Sequence, residues 1–216
     1  MITTTNVRLA LRDKILDAAD RLLGRLGYRK TTLDDLAREA GIGRRTIYLY
    51  FPSKEEIFFA SIDRVVERML AVLRKLSVAK TPPSERLRGM LSARVLVRFD
   101  SVHDYHESLD EMLGVLRKGY LERRERWFAD EARVLAEVIE DGIRQGELAP
   151  VDPESTAHAM ILATNALLPY SLSARELGSR KEVERDVDRI AALLLSGLIA
   201  RDVPRTSPTA KAKTRR

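Results

Sequence analysis

The sequence contains no cysteine among its 216 residues. Disulfide bonds and thiol chemistry are therefore excluded, and the usual cysteine-containing structural zinc sites are excluded with them. No run of about 18 apolar residues is present, so we expect no membrane-spanning helix. The first six residues lack a basic head followed by an apolar core, so we expect no secretion signal. These absences favour a cytoplasmic protein.

Recognisable catalytic patterns are also missing. The sequence has no glycine-rich phosphate loop, no activated serine and no carboxylate pair in a catalytic context, so we expect neither an enzyme nor a bound cofactor. His103 and His106 lie three residues apart beside Asp104 and Glu107. One helix face could bring them together around a metal ion, but a polar surface turn is the interpretation we prefer. We therefore predict no metal site.

The positive charge of the chain is unevenly placed. The formal net charge is +6, and residues 201–216 alone hold six basic residues and one acidic residue. Residues 206–216 lack large apolar side chains, and we expect residues 202–216 to form a disordered basic tail. Two roles remain open for it: nonspecific attraction to DNA, which would increase the salt dependence of binding, or simple solubilisation.

Residues 31–51 carry the most informative pattern of the chain. They predict two short helices, because Thr32 can cap a helix that begins beside two aspartates. Gly41 then ends that helix and Gly43 frees the turn before the next one. Helices joined in this way form a helix-turn-helix, whose second helix enters the DNA major groove. The alternative is an ordinary helical corner with a solvated basic face.

The outward residues of the second helix suit DNA. An arginine can donate two hydrogen bonds to guanine or bind a phosphate, a threonine methyl can contact a thymine methyl, and a tyrosine hydroxyl can reach a phosphate. Lys54 begins the following helix, where an ammonium group can hold the DNA backbone. Arg29 and Lys30 precede the motif; either phosphate contact or a solvated loop would suit them, and we prefer the loop.

The run from Thr31 to Glu56 resembles the TetR family of bacterial transcriptional regulators. The resemblance implies a homodimer with an N-terminal three-helix DNA-binding domain and a C-terminal domain for ligand binding and dimerisation. Gly43 and Leu49 depart from residues that are frequent in the family, which bears on the operator sequence. The residues that fall where the family touches DNA are Thr32, Arg44, Arg45, Thr46, Tyr48, Tyr50 and Lys54.

Helical spacing of apolar residues continues through the rest of the chain and predicts an all-α fold. We predict a TetR-type helix-turn-helix domain at residues 9–69, with its motif at 32–51, and a ligand-binding and dimerisation domain at residues 70–201.

Within these domains, Ser53 and Glu56 should form a capping box at the start of a long helix that reaches about Ala79. We expect a joint near Gly119 within residues 84–146, and a helix capped by Asp152. By the family resemblance, helices at about 153–172 and 182–200 form the dimer interface.

Several aromatic and polar residues of the second domain could contact a ligand. Aromatic residues at helical spacing could equally be ordinary core, and Asn165 could form a hydrogen bond between helices. A mostly apolar domain suggests a hydrophobic or amphipathic small molecule as the effector. The candidates for ligand contact are Phe99, Met112, Tyr120, Trp127, Asn165 and Tyr170.

The function that these patterns favour is a homodimeric repressor that a small hydrophobic ligand releases from a palindromic DNA operator. An activator, or a regulator that needs a corepressor, would use the same DNA contacts with reversed coupling. A protein of another class, a helical small-molecule carrier or enzyme with a vestigial motif, is the remaining alternative. The exposed set of Arg44, Arg45, Thr46 and Tyr48 argues against it.

Overall fold

The computed structural model describes residues 2–102, 108–170 and 178–200, and it confirms the all-α prediction. His103 and His106, which we expect in a polar surface turn, and the tail from residue 202 lie outside these ranges. Within them the chain forms eight α-helices and no strand, apart from an isolated antiparallel bridge between Leu148 and Ile199. The helices are α1 (Ile2–Lys30), α2 (Leu33–Ala40), α3 (Arg44–Tyr48), α4 (Lys54–Ser77), α5 (Pro83–Val102), α6 (Leu109–Arg144), α7 (Pro153–Asn165) and α8 (Arg180–Leu198).

The first three helices and the start of α4 enclose one apolar core. Gly27 interrupts α1 with a φ of 77°, a left-handed conformation that glycine adopts at little cost. The Thr31 hydroxyl then donates a hydrogen bond of 2.7 Å to the Gly27 carbonyl and fixes the chain that leads into α2. The buried apolar side chains of this core come from all four helices and include Ile15, Leu16, Leu22, Leu36, Ile47, Ile57 and Phe58.

Helix α4 links the two halves of the molecule. It runs without a break through the predicted boundary between residues 69 and 70, and that boundary stays a prediction. Ser53 caps it by accepting a hydrogen bond of 3.3 Å from the Glu56 amide. The reciprocal half of the predicted capping box is wrong. The Glu56 carboxylate instead accepts hydrogen bonds of 2.8 and 2.9 Å from Arg123 on α6, because a charged partner lies within its reach.

The predicted joint at Gly119 is also wrong, since α6 is one continuous helix of 36 residues. Gly119 has a packing role instead. A Cβ atom at this position would lie 2.5 Å from Cζ of Phe59, so the missing side chain allows α6 to approach α4 closely. The same Phe59 ring lies 4.3 Å from the Arg123 guanidinium.

The last two helices cover the second half of the molecule. Asp152 caps α7 as predicted, accepting a hydrogen bond of 2.7 Å from the Ser155 amide. Helix α7 packs on α6, and α8 packs on α5. Helix α7 ends at Asn165, several residues before the predicted end at 172. Among the described residues, no helix is both long enough and apolar enough to cross a membrane.

Candidate nucleic-acid interface

Helix α2 and its turn form the rigid half of the helix-turn-helix. The Thr32 hydroxyl accepts a hydrogen bond of 3.1 Å from the Asp35 amide, and the Asp35 carboxylate accepts bonds from the Thr32 hydroxyl and amide at 2.6 and 3.1 Å. These bonds to Thr32 hold the pKa of Asp35 below its ordinary value. Gly41 takes a left-handed φ of 62° at the end of α2. The cap on Thr32 is confirmed, and its contact with DNA stays a prediction.

Helix α3 presents its polar face to solvent. Ile47 is fully buried and anchors the helix, while Arg44 and Arg45 are exposed and Tyr48 is 47 % exposed. Thr46 is half-buried on the side of the turn. The exposed side chains form a positively charged surface on a helix that the core holds from behind. This is the geometry that reading bases from the major groove requires.

Tyr50 lies just beyond the C-terminal end of α3. It is half-buried, and the Arg8 guanidinium lies 5.9 Å from the centre of its ring. Arg12 lies 5.6 Å from the ring of the neighbouring Phe51. The sequence analysis missed both arginines, because nothing in the pattern of α1 indicates that they lie against the end of the recognition helix.

Arg44 is held in place by two neighbours. Its guanidinium donates a hydrogen bond of 2.9 Å to Asp34 on α2 and one of 3.4 Å to the Tyr48 hydroxyl. The bond to Tyr48 and the charge of Asp34 raise the pKa of Arg44. Both partners are exposed, and an exposed ion pair contributes little free energy. The guanidinium can therefore exchange Asp34 for a phosphate or a guanine at small cost.

Lys54 has a structural role that the sequence analysis missed. Its ammonium group donates hydrogen bonds of 2.9 and 3.0 Å to the carbonyls of Tyr28 and Thr31, and it lies 4.2 Å from the centre of the Tyr28 ring. Burial lowers its pKa. Lys54 thus fastens the start of α4 to the segment that leads into α2. Its predicted contact with phosphate remains a prediction, with one N–H left to make it.

The ligand candidates separate into two groups. The ring centres of Tyr120 and Trp127 lie 5.6 Å apart, and those of Tyr120 and Tyr170 lie 5.7 Å apart. Phe99 and Met112 are buried in the core. A cavity of about 240 Å³ adjoins the aromatic group, and it is lined by Leu113, Arg117, Tyr120, Leu121, Arg124 and Tyr170.

Two predicted ligand residues, Trp127 and Asn165, are not among the residues that line this cavity. The Trp127 indole donates a hydrogen bond of 2.9 Å to Asp63 on α4. The side-chain oxygen of Asn165 is buried and has no hydrogen-bond partner among the described residues, so it does not accept the alternative hydrogen bond between helices. A groove of about 590 Å³ between α6 and α7 contains none of the predicted ligand residues. In the described part of the chain, no group of three or more His, Asp or Glu residues could hold a metal ion.

The fold and the exposed face of α3 define a helix-turn-helix regulator, and comparison with known families agrees. The family model described as "Bacterial regulatory proteins, tetR family" matches residues 15–61. The model described as "Tetracyclin repressor-like, C-terminal domain" matches residues 83–191. The chain belongs to the TetR family of bacterial transcriptional regulators. Regulators of this family bind DNA and small-molecule ligands and act as dimers.

Individual relatives are similar over most of their length. The regulator YhgD of Bacillus subtilis is 29% identical over 160 residues, which cover 71% of this chain and 80% of YhgD. The regulator EthR of Mycobacterium tuberculosis is 29% identical over 171 residues, which cover 78% of this chain and 77% of EthR. A TetR transcription regulator from Haloarcula marismortui has the same fold, with a TM-score of 0.70, 20% identity and coverage of 88% and 98%.

Proposed function

We propose that the protein is a homodimeric repressor that binds a palindromic operator and leaves it when a small molecule binds the second domain. The observation that carries the proposal is the exposed surface of Arg44, Arg45 and Tyr48 on a recognition helix anchored by buried Ile47. The match of the second domain to a family model named after a repressor supports the direction of control. Such a repressor acts in the cytoplasm, where the bacterial chromosome lies.

Exposed apolar side chains on α7 and α8 support the dimer. Leu162 on α7 is 55 % exposed and Leu193 on α8 is 73 % exposed, each on the face opposite the buried side of its helix. Burying such residues against a second copy removes apolar area from water. Two copies related by a two-fold axis would present two recognition helices to half-sites about one DNA turn apart.

The dimer has its own test. Leu162→Glu together with Leu193→Glu should convert it to a monomer in size-exclusion chromatography with light scattering. The matched control, Val78→Glu at the exposed end of α4, introduces the same charge away from α7 and α8 and should remain dimeric. A double variant that stays dimeric would refute this interface.

A chain of contacts supports the coupling of ligand to DNA. Tyr120 lines the cavity and contacts Trp127, whose indole is hydrogen-bonded to Asp63 on α4. The first residue of the same helix, Lys54, is bonded to the segment that leads into the helix-turn-helix. A ligand that binds more tightly to a conformation in which α4 is displaced would change the spacing of the two recognition helices. Release requires such a difference in affinity between two states.

The operator test is a DNase footprint on the DNA that flanks the gene, with nonspecific competitor DNA at near-physiological salt. We expect protection of roughly 15–30 base pairs with two-fold symmetry. If the flanking DNA is not protected, selection from random DNA should recover such a site.

The double variant Arg44→Ala with Tyr48→Ala should abolish the footprint and leave the dimer intact. The control Arg133→Ala, at an exposed position of α6, should bind normally. Unchanged affinity of the double variant would refute the assignment of the recognition helix.

A further inference from the structure

A fully buried ionic cluster lies in the second domain, and we name it the Arg94 cluster: Arg94 and Arg98 on α5, Glu131 on α6 and Thr164 on α7. Arg94 and Glu131 are 0 % exposed and Arg98 is 2 % exposed. Arg94 donates hydrogen bonds of 2.6 Å to Glu131 and 2.9 Å to Thr164. Arg98 donates to the other carboxylate oxygen of Glu131 and, at 2.9 Å, to the Arg94 carbonyl. The cluster thus joins three helices.

The charges of the Arg94 cluster do not balance. Two guanidinium groups share one carboxylate, which leaves one positive charge in excess among the described residues of the cluster. The Nη2 atom of Arg94 is buried and has no hydrogen-bond partner among the described residues. Burial lowers the pKa of Arg94 to about 10, a value at which it still carries its charge at neutral pH. An unpaired buried charge is costly unless an anion compensates it.

Two aromatic rings lie near both the Arg94 cluster and residues that line the cavity. The Arg94 guanidinium lies 5.1 Å from the centre of the Phe128 ring, and Arg124, which lines the cavity, lies 5.5 Å from the same ring. Tyr120 lines the cavity and lies within electrostatic range of both Arg94 and Arg98. Desolvation raises the pKa of Tyr120, so its hydroxyl stays protonated and can donate a hydrogen bond.

The rest of the cavity has a mixed character. Leu113 and Leu121 supply apolar surface, Tyr170 supplies a further aromatic ring, and Arg117 and Arg124 add positive charge. No carboxylate is among the residues that line it. A ligand for this cavity therefore needs a compact apolar or aromatic body and a negative charge. The volume of about 240 Å³ suits a small organic molecule.

We propose that the effector is a small organic acid whose apolar body lies between Tyr120, Leu113 and Tyr170 and whose carboxylate pairs with Arg94. Arg94 is fully buried and does not line the cavity, so the ligand reaches it by displacing the side chains that cover its guanidinium. This inference rests on the proposed function, because it names the chemical class of the molecule that releases the repressor. A guanidinium can bind a carboxylate through two parallel hydrogen bonds.

The test compares 3-phenylpropanoate with its uncharged amide on the full protein without DNA. Trp127 is the single tryptophan of the chain and contacts Tyr120, so its fluorescence reports binding in this cavity. We expect the carboxylate to bind at least about tenfold more tightly than the amide, since a charge-assisted hydrogen bond is lost in the amide. Inorganic phosphate at the same ionic strength should not change the fluorescence.

Arg94→Met should reduce the preference for the carboxylate to within about twofold, the level expected without a charge-assisted bond. This variant should fold, because it leaves Arg98 and Glu131 as a balanced pair. Arg133→Met, on an exposed side chain of α6, is the matched control and should keep the preference. Leu113→Phe is a second test, since the larger side chain fills the cavity without altering the Arg94 cluster. It should weaken the binding of both the acid and the amide.

Three results would overturn the proposal. They are equal binding of the acid and the amide to the unaltered protein, an undiminished preference in Arg94→Met, and an equal response to inorganic phosphate. The operator assay separates the two hypotheses. An acid that binds through Arg94 but leaves the operator complex intact supports the site and contradicts ligand-induced release. Release by uncharged compounds alone would contradict the site and support the repressor.

Discussion

Replacing Glu131 with glutamine removes the carboxylate that Arg94 and Arg98 share and changes almost nothing else. The substitution preserves the size of the side chain, so it creates no cavity, and the two guanidinium groups stay buried with no opposite charge. Breaking a buried ion pair in this way costs about 3–5 kcal/mol. For a chain of this size, the midpoint of thermal unfolding should fall by roughly 6–20 °C.

The assay is urea unfolding followed by circular dichroism, at one fixed protein concentration because the stability of the proposed dimer would depend on it. Glu137→Gln, on an exposed position of the same helix, is the matched control and should change the free energy of unfolding by less than about 0.5 kcal/mol. A loss below about 1 kcal/mol for Glu131→Gln would show that water or an anion already compensates the two arginines, and the argument for an excess buried charge would fail.

A double variant tests the same reasoning from the other side. Adding Arg94→Met to Glu131→Gln removes one of the two unpaired cations. The double variant should therefore be more stable than Glu131→Gln alone, which is a non-additive effect between contacting residues. If the two losses simply add, the destabilisation comes from packing and not from charge.

Three further predictions concern the rest of the fold. Gly119→Ala should destabilise the protein by about 1–3 kcal/mol in thermal unfolding, because its Cβ would meet the Phe59 ring; Gly114→Ala, in open space on the same helix, should be neutral or stabilising by up to about 1 kcal/mol. Thr32→Ala should cost about 1 kcal/mol of unfolding free energy through loss of the α2 cap, and an unchanged urea midpoint would contradict this. Lys54→Met should lower both operator affinity and the free energy of unfolding, the latter by about 1–3 kcal/mol. Normal stability with reduced affinity would instead mean that Lys54 acts through phosphate alone.

The helix-turn-helix could be predicted because its determinants are local. The cap on Thr32 and the left-handed Gly41 both depend on neighbours a few residues away in the chain. The cap at Asp152 was predictable for the same reason. Residue type alone selected Tyr120, Trp127 and Tyr170, which the fold brings into one aromatic group, and their contact with a ligand stays a prediction. The same holds for Phe99 and Met112, which are buried in the core.

Only the tertiary structure decided the contacts between distant residues. Glu56 bonds to Arg123 instead of closing its own capping box. Gly119 lies inside a continuous helix, where its missing side chain leaves room for the Phe59 ring of α4. Arg94 and Glu131 are 37 residues apart. Along the sequence, each is one more charged residue in a helix. Their importance comes from burial, which removes the water that would screen and solvate a charge, and burial depends on how the helices pack against one another.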